Sequence, residues 1–185
     1  MPTPPKGDVA KLLESLGRSS TPPVKKNAFG LDFGNFLGPA MFPSSPNASL
    51  VIGTPALFDA WPSDNEAICG VPGLIAEQAA NTQFSRLIID AEAFYTGPWM
   101  GADSGGQRHL AEEIFEAGRI FRATGRSVFY LSCPVHGPEF DNAYIRSTST
   151  VDLGDVPEVD LEEGAPQSSL WDYLRAVVDA RYGSK

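Results

Sequence analysis

The sequence predicts an α/β fold in three layers, with a mainly parallel sheet between two layers of helices. Short apolar runs alternate with helical patterns between residues 50 and 135, which is the order of strand–helix–strand crossover units. The runs are continuously apolar, as in strands that are buried on both faces. Thr54 and Pro55, at the end of the first run, form a helix-start signal. Together these observations favour a parallel sheet covered by helices.

Four segments are predicted as strands: LVIG (50–53), AICGV (67–71), RLIID (86–90) and SVFYLSC (127–133). Short helices are expected after Thr54 and from Pro72 onward. Ser104 and Gln107 have the spacing of a capping box at the start of the main helix, and Gly125 ends it. Its buried face is predicted from four apolar residues at helical spacing: Leu110, Ile114, Ala117 and Phe121.

A final helix is predicted over SSLWDYLRAVVDARYG, with Ser169 as its N-cap and Asp172 in the capping-box position. Its buried face is predicted to consist of Leu170, Leu174, Val177 and Val178. Residues 136–167 between the fourth strand and this helix are acidic and poor in apolar residues, so we expect a long exposed loop there, with one edge strand within YIRSTSTVDL.

Residues 1–49 are predicted to be an irregular N-terminal arm, separate from an α/β domain over residues 50–185. The arm contains one short amphipathic helix, DVAKLLESLG, followed by a Phe- and Gly-rich segment. A helix this short needs a surface on which to pack, and apolar residues at this spacing are typical of helices that bind in grooves. The candidate partner-binding residues are Leu12, Leu13, Leu16, Phe29, Phe33, Phe36 and Phe42.

The surface that buries this arm is either its own domain or another protein. The arm carries five basic and three acidic residues, against a net charge of −9 for the whole chain of 185 residues. A basic arm on an acidic domain has an oppositely charged surface available, and opposite potentials favour association. Our hypothesis is an arm that binds a protein partner or a second copy of the chain.

Composition excludes several other classes of function. The net charge of −9 argues against a nucleic-acid-binding protein, which needs clustered basic residues. No apolar run approaches the ~20 residues of a membrane span, and the N-terminus lacks the pattern of a signal peptide. Cys69 and Cys133 form neither a disulfide framework nor a zinc motif. The sequence therefore predicts a cytoplasmic protein with no metal site and no cofactor.

Polar and aromatic residues follow the predicted strands, most clearly in LIIDAEAFYTGPWMG (87–101). In open parallel sheets, ligands bind outside the carboxyl ends of the strands. The candidate ligand-binding residues are those that the strand ends bring to one edge: Asp90, Glu92, Tyr95, Trp99, Ser104, Cys133, His136 and Glu139.

Each part of this candidate site has an alternative interpretation. Tyr95 and Trp99 either stack on a sugar or base or cover the end of the sheet. The Gly-rich turn over residues 101–106 precedes a helix but lacks the spacing and the lysine of a phosphate-binding loop. Cys133 and His136 have the chemistry of a thiol–imidazole pair, although a cysteine in a strand is commonly a small buried residue.

Residues 50–141 loosely resemble the N-terminal Rossmann-like domain of bacterial two-domain glycosyltransferase-like proteins, including the spore-maturation-like ones. The stretches that carry the resemblance are LIIDAEAFYTGPW, the helix over residues 107–124, RSVFYLSCP and VHGPEFD. The resemblance implies a Rossmann-like domain whose relatives act on nucleotide sugars.

Two departures from that family shape the functional expectation. Ser132, Cys133 and Pro134 replace the polar run that follows the fourth strand in the family. Such enzymes also bind the nucleotide sugar mainly in a second Rossmann domain, which we do not expect in a chain of this length. We therefore expect a non-catalytic or accessory α/β protein that acts by binding. The alternative is a sugar- or nucleotide-acting enzyme that uses the edge of the sheet.

Overall fold

The computed structural model describes residues 43–134, 140–154 and 168–183. The candidate partner-binding residues of the arm, Leu12 to Phe42, lie outside these ranges. The described residues form five strands: β1 (Ala48–Ile52), β2 (Ala67–Cys69), β3 (Phe84–Asp90), β4 (Ser127–Leu131) and β5 (Val151–Asp152). Five α-helices are described: α1 (Pro55–Asp59), α2 (Ile75–Ala80), α3 (Arg108–Ala123), α4 (Asn142–Arg146) and α5 (Ser169–Gly183). Two 3-10 helices follow β3, at Ala91–Phe94 and Gly97–Trp99.

The sheet is parallel throughout, in the order β2-β1-β3-β4-β5, which confirms the predicted α/β class. The central strand, β3, pairs directly with β4, with Leu87 opposite Val128 and Ile89 opposite Tyr130. The sequence predicts that six apolar residues of these two strands are buried, and five of them are inaccessible to solvent: Leu87, Ile88, Ile89, Val128 and Leu131. The sixth, Phe129, is half-buried and contacts Trp171 of α5.

Two apolar clusters lie on opposite faces of the sheet and make the three layers. Alternate strand residues such as Leu87 and Ile89 pack with α2, α3 and the 3-10 helices. The intervening residues, including Val51 and Ile88, pack with α1 and α5. Because successive side chains of a strand point to opposite faces, the continuous apolar runs of the sequence fill both clusters.

Several helix ends follow the sequence prediction. Thr54 accepts a hydrogen bond from the Leu57 amide at 3.4 Å, and Pro55 occupies the first turn of α1. At the end of α3, Gly125 has a φ of +72°, and the amide of Arg126 bonds the Phe121 carbonyl at 2.9 Å. This pattern of bonds is a Schellman cap, which glycine permits at that φ.

Three other helix starts differ from the prediction. Helix α2 begins at Ile75 rather than Pro72, because Gly73, with a φ of +80°, forms a turn before it. The capping box at Ser104 is not formed: its hydroxyl bonds the Gly101 carbonyl at 2.7 Å, inside a separate turn.

At the start of α5, Ser168 rather than Ser169 is the cap, because its hydroxyl accepts the Trp171 amide hydrogen bond at 3.1 Å. The hydroxyl of Ser169 instead bonds the Asp64 carboxylate. The register of the cap is therefore one residue earlier than predicted, so Trp171 and not Asp172 takes the third helical position.

Part of the acidic segment 136–167 lies at the edge of the sheet. Residues 140–154 contain α4 and the two-residue edge strand β5, which pairs with Phe129 and Tyr130 of β4. The edge strand predicted within YIRSTSTVDL is thus present, but it is shorter, and a helical turn precedes it. The remainder of this segment lies outside the described ranges.

Candidate functional site

The strand order reverses direction between β1 and β3, which is the point where an open α/β sheet of this order binds ligands. Gly53 and Thr54 follow the carboxyl end of β1, and Asp90 is the last residue of β3. Thr54 is buried and its side chain caps α1. Asp90 is therefore the charged side chain that the fold places at this switch point.

The Asp90 carboxylate is fully buried and hydrogen-bonded through both oxygens. Oδ1 accepts bonds from the Glu92 amide at 3.0 Å and from Nη1 of Arg181 at 2.8 Å, and Oδ2 accepts from Nη2 of Arg181 at 3.0 Å. Asp90 shares the strand face of Ile88, so its side chain points toward α5, which carries Arg181. The pair is a bidentate arginine–carboxylate contact between the third strand and helix α5.

Glu92 completes a three-residue cluster at the switch point, which we call the Asp90–Arg181–Glu92 cluster. Its carboxylate accepts a bond from Nη2 of Arg181 at 2.7 Å. The Glu92 side chain is 47% exposed, whereas that of Arg181 is 12% exposed. Burial raises the pKa of Asp90, and Arg181 opposes that shift. For Arg181, burial lowers the pKa, but the two carboxylates outweigh burial and raise it.

Tyr173 holds the same helix to the first crossover. Its hydroxyl donates to the Leu57 carbonyl of α1 at 2.7 Å. Burial, and then the nearby charge of Asp90, raise the pKa of Tyr173. Helix α5 is thus fixed to both sides of the switch point, at α1 by Tyr173 and at β3 by Arg181.

Sequence reasoning missed Arg181 and Tyr173 as site residues. Arg181 continues the buried stripe of α5, three residues after Val178. A charged residue on an apolar stripe indicates a buried partner, since long charged side chains are rarely buried unpaired. The spacing of α5 therefore contained a signal for Arg181.

Trp99 is fully buried, and its indole Nε1 donates to the Gly70 carbonyl at 3.0 Å. The ring packs in the cluster on the α3 face and ties the second 3-10 helix to the end of β2. In this arrangement, Trp99 covers the sheet end and presents no ring face to solvent.

Tyr95 and Ser104 lie on the α3 side of the same edge. The Tyr95 hydroxyl donates to Oδ2 of Asp103 at 3.4 Å, and Asp103 is itself buried. Ser104 is exposed, and its hydroxyl bonds within the Gly101 turn. These residues form a second polar group, separated from the Asp90–Arg181–Glu92 cluster by the sheet.

Cys133 is half-buried and packs against the apolar cluster on the α3 face. His136 and Glu139 lie outside the described ranges. The structure therefore brings Asp90 and Glu92 together through Arg181, whereas Cys133 packs on the α3 face of the sheet. Tyr95, Trp99 and Ser104 occupy other positions around the edge.

The Asp90–Arg181–Glu92 cluster has the chemistry of a structural ion pair. The Asp90 carboxylate is inaccessible to solvent and accepts three hydrogen bonds, two of them from Arg181, so it is not presented to a substrate or a cation. Within residues 43–134, 140–154 and 168–183, no three His, Cys, Asp or Glu side chains lie close enough together to hold a metal ion. No helix in the same ranges combines the length and apolarity needed to cross a bilayer.

Comparison of the chain with protein-family models, with curated proteins and with solved structures gives no significant match in any of the three.

Proposed function

We propose that this chain is a non-catalytic or accessory α/β protein of the cytoplasm, which acts by binding a protein partner or a second copy of itself. The observation that supports this most directly is the engagement of Asp90. A general base must be within reach of a substrate proton and free to accept it. The acid at the switch point of this sheet is instead buried against Arg181.

Exposed apolar side chains at the carboxyl edge favour a binding role. Met100 is 62% exposed and Phe140 is 81% exposed. Gly105 lies in the turn that follows Met100. The ring of Phe140 lies against this glycine, because a Cβ added to Gly105 would be 3.6 Å from Cδ1 of Phe140. Large apolar residues grouped on a surface are typical of contact sites.

The N-terminal arm supplies a second contact segment in this proposal. Leu12, Leu13, Leu16 and the four phenylalanines between Phe29 and Phe42 would be costly to leave in water, at ~25 cal/mol per Å² of apolar surface. The resemblance to the N-terminal half of glycosyltransferase-like proteins agrees with an accessory role, in which the chain assists a partner instead of transferring sugar itself.

Light scattering on the full chain and on residues 43–185 tests the binding role. This truncation keeps β1 and the contacts of Ser44 and Ser45 with Glu66. We expect a dimer or larger assembly for the full chain and a monomer for residues 43–185. A full-length chain that is monomeric at micromolar concentration, with its arm protected from protease, would contradict an arm that packs on a second copy of the chain.

A sugar- or nucleotide-acting enzyme is the second candidate, and the strand order favours it. A β2-β1-β3-β4-β5 sheet has its ligand crevice at the β1–β3 switch point, beside Asp90 and Glu92. Calorimetric titration with a nucleoside diphosphate sugar separates the two candidates. Tight binding with sugar release that Asp90→Asn abolishes would establish the enzyme and overturn the non-catalytic proposal.

A further inference from the structure

No further inference is drawn: the strongest candidate, the cluster of buried carboxylates of Asp103 and Asp141 at the carboxyl edge of the sheet beside the start of α3, carries nothing, because Asp141 pairs with Arg108 at 3.6 Å and Asp103 accepts a hydrogen bond from Tyr95, and no observation within residues 43–134, 140–154 and 168–183 points to a ligand there.

Discussion

Arg181 donates two hydrogen bonds to Asp90 across 91 positions of the chain, at 2.8 and 3.0 Å. The contact joins the last helix to the end of the third strand at the switch point of the sheet. A buried carboxylate in this position is stable only with its partner, because the cost of desolvating the charge must be offset by the guanidinium. The C-terminal helix is therefore part of the site and not only a cover for the sheet.

Replacing Arg181 with Met should destabilise the fold strongly. The substitution leaves the fully buried Asp90 carboxylate without its guanidinium, and breaking a buried pair in this way costs about 3–5 kcal/mol. Chemical unfolding in urea measures the loss.

The matched control is Arg119→Met, which breaks an exposed pair with Glu116 and should cost no more than about 1 kcal/mol. Adding Asp90→Asn to Arg181→Met should recover part of the stability, because the amide is neutral and still accepts the Glu92 bond. Equal losses of unfolding free energy for Arg181→Met and Arg119→Met would show that the buried pair contributes no more to stability than the exposed one.

The sequence predicted the sheet better than the site. Strands β3 and β4 were identified because burial on both faces makes LII within RLIID and VFYL within SVFYL continuously apolar. The start of α2 was misplaced because proline is a common first residue of helices, while Gly73 takes a φ of +80° and forms a turn before the helix.

The candidate site was only partly predictable, for a physical reason. Asp90 and Glu92 follow directly from the end of an apolar strand. Their partner Arg181 is supplied by a helix far along the chain, and such pairing depends on how α5 packs on the sheet. Trp99 illustrates the same limit. Its position after β3 predicts that it lies at the edge of the sheet, but its hydrogen bond to the Gly70 carbonyl depends on the tertiary fold.

Glu66 should make stability depend on pH in the acidic range. Hydrogen bonds from the amides and hydroxyls of Ser44 and Ser45, led by the Ser44 amide, lower the pKa of Glu66 from 4.5 to about 2. A carboxyl whose pKa is lowered on folding stabilises the protein above its ordinary pKa. That contribution is lost as the pH falls from 4.5 toward 2.

Urea midpoints between pH 2 and 6 measure this contribution. The difference between wild type and Glu66→Gln should be largest above pH 4.5 and shrink on acidification. Replacing Ser44 and Ser45 with alanine removes the hydroxyl donors and should reduce the same pH dependence. A difference that stays constant with pH would mean that these bonds do not favour the ionised carboxylate.

Gly118→Ala should destabilise the protein, although alanine is the better helix former by about 1 kcal/mol. A Cβ at this buried position of α3 would lie 2.6 Å from Cβ of Thr148 and still closer to its Oγ1. Overpacking of this kind costs about 1–3 kcal/mol. Thermal unfolding of Gly118→Ala, alone and with Thr148→Gly, measures the effect. The double variant should relieve the clash with Thr148. A melting temperature of Gly118→Ala above that of the wild type would contradict the close packing.

Trp99→Phe should loosen the loop that covers the end of the sheet. The substitution removes the indole donor to Gly70 and leaves that carbonyl buried without its partner, at a cost of about 1–3 kcal/mol, besides any loss from the smaller ring.

The matched control is Trp171→Phe. Trp171 is half-buried, and its contact with Phe129, at 6.0 Å between ring centroids, survives in a phenylalanine. Urea unfolding, together with amide hydrogen exchange of residues 91–102, should report a larger loss of stability and faster local exchange for Trp99→Phe than for Trp171→Phe. Equal protection of the loop in both variants would mean that the loop is held by its backbone bonds, such as the Gly101 amide to the Phe94 carbonyl at 2.7 Å, without the indole.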